Sequence, residues 1–233
     1  MSVSREEFLM RVRAAQRVAV REDGGNGSFA AIGGDDPHPL PVLPVFETPA
    51  GDRLERFRAS LATMGGKCVT PASRAELPGW FAERFPGHVP LSATDEVPGV
   101  ELLDAARVPA SLHEVEVGVV RARHGVAETG SVWLSEAEYR VNALGYLVQH
   151  LVVLLDPADI VDGLQDLYRI ADFREASYAA LVTGPSATAD IEGVLIQGAQ
   201  GVRSLTVVLL GRGTRRNAVS SESSLGAAGL ARS

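Results

Sequence analysis

The stretch LVTGPSATADIEGVLIQGAQGVRSLTVVLL, residues 181–210, decides how the chain is read. An apolar run from Tyr178 to Val182 breaks at Thr183-Gly184-Pro185-Ser186. An acidic turn with Thr188, Asp190 and Glu192 follows, then Gly198-Ala199-Gln200-Gly201, then a second apolar run from Leu205 to Leu210. Gly184 permits a positive-φ turn, Pro185 fixes φ, and Ser186 or Thr188 can cap a helix. Ile191, Val194 and Leu195 recur at i, i+3 and i+4, one helical face turned toward a sheet. The pattern predicts strand, turn, helix and strand, a βαβ unit in about thirty residues.

Working outward, Tyr146 to Leu155 is nearly continuous apolar sequence, interrupted by Gln149 and His150. Such a run suits a central strand covered on both faces. Asp156-Pro157 then offers N-cap and N1 chemistry for a helix carrying Ile160, Val161, Leu164, Leu167 and Tyr168. Upstream, the alternation from Val115 to Val120 reads as a strand, Gly125 to Gly130 as a turn and Ser131 to Leu134 as the returning strand. Together these suggest an antiparallel insertion. Leu54, Phe57, Leu61 and Met64 share one face of a helix ended by Gly65-Gly66, and Lys67 to Thr70 reads as a short strand. Val100 to Ala106 is expected to be a brief helix. Ser73-Arg74-Ala75-Glu76 has capping-box spacing, but Pro78 limits any helix there to a turn or a restart at Gly79.

Strands alternating with helices give an α/β fold, a mostly parallel sheet with helices on both faces. Residues 1–45 read as an N-terminal helix, opened by Ser4-Arg5-Glu6-Glu7, and a flexible Gly- and Pro-rich loop. Residues 46–211 form the α/β domain, and residues 212–233 a disordered polar tail. The long loop also suits an arm exchanged between two copies, so a homo-oligomer is compatible with the sequence.

The 233 residues carry a formal charge of −7, which argues against non-specific binding to nucleic acid. Lys67 is the single lysine and Cys68 the single cysteine, so an internal disulfide or a cysteine-ligated cluster within this chain is excluded. No apolar run approaches the ~20 residues that span a bilayer. The N-terminus mixes charge signs without a signal-type apolar core, so the expected location is the cytoplasm. The five histidines, His38, His88, His113, His124 and His150, show no metal-ligand spacing, and no metal site is expected. Gly211-Arg212-Gly213 lacks the rest of a dinucleotide fingerprint.

Two stretches have the residue types of a site. Thr183, Ser186 and Thr188 offer hydroxyls beside the amides of a helix N-terminus, a place that favours anions. Asp190 and Glu192 bring negative charge to that end, and no P-loop lysine follows; the same groups can simply cap the helix and complement its dipole. Glu128, in the turn Ala127-Glu128-Thr129-Gly130, has the chemistry of a nucleophile or an acid/base group. It could equally accept a bond from its own turn or pair with Arg121 or Arg123. His124, close by, is a second acid/base candidate. Candidate ligand contacts are Thr129, Gly130, Thr183, Gly184, Ser186, Thr188 and Asp190. The two stretches are expected to meet in one cleft at the carboxyl edge of the sheet.

The succession Gly125-Val126-Ala127-Glu128-Thr129-Gly130-Ser131, Tyr146 to Leu155, Thr183-Gly184-Pro185-Ser186, Thr188-Ala189-Asp190-Ile191-Glu192 and Gly198-Ala199-Gln200-Gly201 resembles the LUD domain family, in its lactate utilization protein C-like branch. The resemblance spans roughly Phe46 to Leu210. It implies a three-layer α/β/α fold similar to the sugar-phosphate isomerase and CoA-transferase group. It also implies a part in oxidising L-lactate to pyruvate beside iron–sulfur subunits, with the clusters in those partners and no cofactor in this chain. The family commonly carries a basic residue where Ala187 stands and a histidine where Gln200 stands. A free-standing isomerase- or CoA-transferase-like enzyme acting on a small anionic metabolite through Glu128 is the competing expectation.

Overall fold

Leu151 to Leu155 are all withdrawn from solvent, on both faces of a single strand. The computed structural model describes residues 4–11, 50–170, 172, 175–189, 193–198 and 201–212. Its central sheet contains β1 (Lys67–Val69), β2 (Leu91–Ser92), β3 (Glu101–Leu102), β4 (Val117–Arg121), β7 (His150–Leu155) and β12 (Ser204–Leu209). The spatial order is β1-β12-β7-β4-β2-β3, and every neighbouring pair is parallel. A second sheet of order β8-β5-β6-β9 comprises β5 (His124–Val126), β6 (Ser131–Ser135), β8 (Ile160–Val161) and β9 (Ala179–Val182). A small hairpin pairs β10 (Ala187–Thr188) with β11 (Ile196–Gln197).

The alternation of strand side chains builds two cores. Leu151, Val153 and Leu155 join Val120, Leu205, Val207 and Leu209 on one face. Val152 and Leu154 join Val117, Val119 and Val208 on the other. Full burial of each such aliphatic chain contributes about 1.5–3 kcal/mol, so hydrophobic burial rather than local preference fixes β7.

On the first face lie Phe57 and Leu61 of α2 (Arg53–Thr63), Tyr139 of α4 (Glu136–Tyr139) and Leu144 of α5 (Leu144–Leu147). Ala127, Val132 and Leu134 of the second sheet pack into the same core. The second sheet's other side meets Leu167 of α6 (Leu164–Tyr168) through Val126 and Trp133. On the second face lie Leu77 and Phe81 of α3 (Leu77–Arg84), with Phe85 beyond its end. The result is a three-layer α/β/α fold around a parallel sheet, as the sequence indicates. The described part of the separate unit Met1–Leu43 is the helix α1 over residues 5–11, where Ser4 Oγ accepts from the Glu7 amide at 3.2 Å.

Helix α2 forms as its pattern predicts. Asp52 Oδ1 accepts from the amides of Leu54 (2.7 Å) and Glu55 (3.1 Å), and at the far end the Gly66 amide returns to Leu61 O (2.9 Å). Helix α3 runs through Gly79 because Pro78 falls in its first turn, where a missing N–H removes no intrahelical bond.

Several expectations are corrected. The βαβ unit at residues 181–210 does not form. Strand β9 runs antiparallel to β6 in the second sheet, β12 enters the central sheet, and the hairpin pairs Thr188 with Ile196 between them. Val194 and Leu195 are exposed, and Gly193 takes φ 71°, which a helix does not accommodate; Ile191 lies outside the described residues. A helical match this short is too weak to outweigh strand pairing. Strand β4 belongs to the central sheet, so within the expected insertion only β5 and β6 pair antiparallel, and β6 goes on to pair antiparallel with β9. The helix expected from Asp156 is a 3-10 turn, Pro157–Asp159, then β8, then α6, because Ile160 and Val161 pair with Gly125 and Val126. Glu101–Leu102 extends the sheet beside β2 where a brief helix was expected. The first two residues of the Tyr146 to Leu155 run, Tyr146 and Leu147, end helix α5, and the strand starts only at His150.

Asp162 fixes the N-terminal end of α2 to the β8–α6 connection, receiving Arg53 at 2.7 Å and Arg56 on its other oxygen. The hydrogen bond from Arg53, with Arg56 adding to it against the cost of burial, holds the Asp162 carboxyl below the usual aspartate range. A depressed folded pKa gives stability that is present above the unfolded value of about 3.9 and lost as pH falls through the lower folded value. Asp162→Asn is therefore expected to lower the urea midpoint at pH 7, with the gap to wild type closing below about pH 4. Denaturation curves of both proteins at the two pH values check this.

Candidate functional site

Two glycine turns grip the C-terminal half of α2. Gly130, at φ 70° in the β5–β6 turn, donates its amide to Val126 O (2.9 Å). A Cβ there would lie 2.2 Å from Leu61 N and 2.5 Å from Leu61 Cα. Gly184, at φ 71° just beyond β9, would place a Cβ 2.1 Å from Met64 O. Ser60 Oγ closes the junction by donating to Ala127 O at 2.9 Å.

This junction leaves a cleft of about 500 Å³, lined among others by Ser60, Glu128, Thr129, Ser131 and Thr183. A chain of hydroxyls crosses it: Thr129 Oγ1 lies 2.6 Å from Ser131 Oγ, and Ser131 Oγ lies 2.5 Å from Thr183 Oγ1. Ser131 is buried, so its hydroxyl is held by its two neighbours. Hydroxyls donate or accept by rotating, so the chain can follow either polarity in a ligand. Among the described residues, Glu128 is the one charged member of the lining. Its Oε2 accepts from the Leu164 amide (3.0 Å), and its own amide donates to Asp162 O (3.0 Å). Neither arginine considered as its partner reaches it: Arg121 is bound to Glu96, and Arg123 to Glu138 and Asp172. A carboxylate, a row of hydroxyls and the apolar Met64, Leu164 and Leu181 suit a small hydroxylated molecule better than a phosphate.

Glu128, Thr129 and Thr183 thus come together as expected, with Gly130 and Gly184 as the hinges of their turns. The cleft lies against the second sheet and α2 instead of the carboxyl edge of the central sheet. Ser186 does not cap a helix; its amide donates to Val202 O (2.9 Å) and its carbonyl accepts from Gly198 (2.7 Å). Thr188 sits in β10 opposite Ile196, away from the cleft lining, and Ala187 opposite Gln197. Asp190 and Gln200 lie outside the described residues. His124 is at the other end of β5, where it lines a different cleft and pairs with Asp172 at 3.3 Å. Ser60 and Thr63 were not among the sequence candidates. They belong to a helix far upstream, and only its polar face hinted at them.

His150 opens β7 with Nδ1 2.7 Å from Ser204 Oγ. Cys68 is half-buried against the first core, and burial raises its thiol above the ordinary value, with Arg58 opposing. A raised thiol is a weak nucleophile at neutral pH.

Residues 99–210 match the family model of the LUD domain. Over that stretch the chain is similar to the LUD domain. It is 26% identical over 196 residues to a Deinococcus radiodurans protein named Lactate utilization protein C, spanning 78% of this chain and 91% of that one. It is 32% identical over 127 residues to the uncharacterized protein YkgG of Escherichia coli, spanning 52% of each. The crystal structure of a DUF162-family protein from Deinococcus radiodurans aligns with a TM-score of 0.52 at 19% identity, covering 68% of this chain and 96% of that one. That likeness is one of fold. The LUD match takes in Glu128, Ser131 and Thr183, whereas α2, the other wall of the cleft, precedes it.

Three glycines of nearly equal φ separate conformation from contact. Gly193, at φ 71°, has no atom of the described residues within 4 Å of a built Cβ, unlike Gly130 and Gly184. Gly193→Ala should cost about 1–2 kcal/mol from backbone strain alone. Gly130→Ala and Gly184→Ala should each cost a further ~1–3 kcal/mol by pushing the turns off α2. Urea midpoints of the three variants give the comparison; equal losses would contradict it.

Proposed function

We propose that this LUD-domain chain is the non-cluster subunit of an L-lactate utilization system, acting in the cytoplasm beside iron–sulfur proteins. One observation carries the reading: the chain is similar over most of its length to a relative named for lactate utilization, yet it contains a single cysteine. Oxidation of L-lactate to pyruvate releases two electrons and two protons. Iron–sulfur clusters are held by several thiolates, so they belong to partner chains that accept those electrons. The hydroxyls around Glu128 are suited to hold the small hydroxy acid or its keto product. No described helix is long and apolar enough to cross a membrane, in keeping with this location.

The test is co-purification of the chain with its iron–sulfur partners, followed by lactate-dependent electron transfer with and without it. Activity is expected to depend on the chain. The isolated chain, incubated with iron and sulfide under reducing conditions, is expected to bind no stoichiometric cluster; a cluster there would sink the reading.

The position of Glu128 favours a second reading. Its carboxylate is oriented by the Leu164 amide at the rim of a cleft, as a nucleophile or base requires. In that case the chain is an isomerase- or CoA-transferase-like enzyme acting on a small anionic metabolite. Glu128→Gln separates the two. Loss of lactate-dependent growth with the complex intact assigns chemistry to Glu128, whereas loss of the complex assigns it a structural role.

A further inference from the structure

A second cleft, of about 490 Å³, opens where four parallel neighbours of the central sheet end. Its walls are Thr94 after β2, His124 after β4, Asp159 after β7 and Arg212 after β12. Ligands of open α/β sheets bind outside the carboxyl ends of the strands. Among the described residues four arginines line the cleft, and three are already committed. Arg121 forks onto Glu96 (2.7 and 2.5 Å) and donates to Leu210 O (2.8 Å). Arg123 meets Glu138 (3.0 Å) and Asp172 (3.3 Å), and Arg212 meets Asp159 (3.0 Å). Among the described residues, no hydrogen bond or ion pair engages the guanidinium of Arg140.

The backbone of Arg140 is also exceptional. It stands at φ 57°, ψ −44°, the one non-glycine residue with positive φ among those described. The Val141 amide reaches back to Tyr139 O at 2.6 Å, which makes the segment a γ-turn of the strained, positive-φ kind. Such a residue costs on the order of 1–3 kcal/mol and persists where its surroundings enforce it. Here they do: Tyr139 is fully buried, Val141 nearly so, and the capping box of Ser135 and Glu138 fixes the helix before the turn. Glycine would relieve the strain; arginine instead places in the cleft a cation with no partner among the described residues.

Among the described residues the cleft is not cationic, since Asp95, Glu138, Asp159 and Asp172 balance its four arginines. Recognition there is a point contact rather than a field. We propose that Arg140 anchors a binding subsite for the oxyanion group of a small metabolite. The guanidinium fork takes the carboxylate or phosphate. His124, held by Asp172, faces the same space as a hydrogen-bonding partner for a neighbouring hydroxyl or carbonyl. The subsite is separate from the Glu128 cleft and stands whether or not the lactate reading does.

The test titrates the isotopically labelled full chain with L-lactate, pyruvate and inorganic phosphate in turn, followed by NMR in buffer free of other oxyanions. At least one anion is expected to shift resonances of Arg140 and His124, and Arg140→Gln to weaken that binding about tenfold or more. Arg107→Gln, the same charge change outside the cleft, should leave it unaltered. Arg140→Gly should lose binding while its thermal midpoint stays at or above that of wild type, which excludes misfolding as the cause. Saturation by lactate or pyruvate assigns a carboxylate, and saturation by phosphate alone a phosphate ester. No binding of any of the three to wild type, or binding unaffected by Arg140→Gln, overturns the proposal. Neither result touches the partner and cluster assays, so the two readings fail independently.

Discussion

The architecture depends on one close approach: the backbone of α2 lies against two turns that have no Cβ to spare. At Gly130 and at Gly184 the nearest backbone atoms of the helix occupy the space a side chain would need. The opposite end of α2 is held by Asp162, which takes both Arg53 and Arg56. A helix pinned at one end by charge and at the other by contact cannot slide along the second sheet. The separation between its polar face and the hydroxyls of Thr129, Ser131 and Thr183 is therefore set by backbone, which is stiffer than any arrangement of side chains.

The β5–β6 hairpin carries a different chemistry at each end. At its turn, Glu128 and a row of hydroxyls form a surface with a single charge among the described residues. At its start, His124 faces a cleft of balanced arginines and carboxylates in which one arginine has no partner among the described residues. The two surfaces suit different parts of small oxygen-rich molecules. The distinction arises from topology: β4 belongs to the parallel sheet, and the hairpin that follows it leaves for the second sheet. The chain thereby passes both clefts within a few residues.

The sequence made some of this legible. The apolar run through Leu155 announced a strand buried on both faces, and the spacing of Leu54, Phe57 and Leu61 announced α2. Glu128, Thr129 and Thr183 stood out as polar groups in glycine turns, and they do share a cleft. The order of strands within the sheets was not legible, because pairing partners lie far apart and periodicity is silent about them. Hence Ile160 and Val161, which match a helical spacing, pair instead with β5. Hence also Val194 and Leu195, whose i, i+4 logic held only while a helix was assumed. Arg140 gave no signal at all: nothing in the letters around it demands positive φ, which is imposed by the burial of Tyr139 and Val141.

The position of β12 has a consequence for how the chain is made. It lies between β1 and β7, so that Lys67 neighbours Thr206 while His150 neighbours Ser204. A strand near the end of the fold thus fills a gap near the middle of the sheet. During synthesis β1 has no partner until nearly all of the domain has left the ribosome, and both edges of that gap stay open meanwhile. Such long-range parallel pairing is slow to form because loop closure must come first. The nascent chain therefore spends most of its translation with unpaired strand edges and apolar surface in view, and it needs protection from its neighbours until Leu209 is in place.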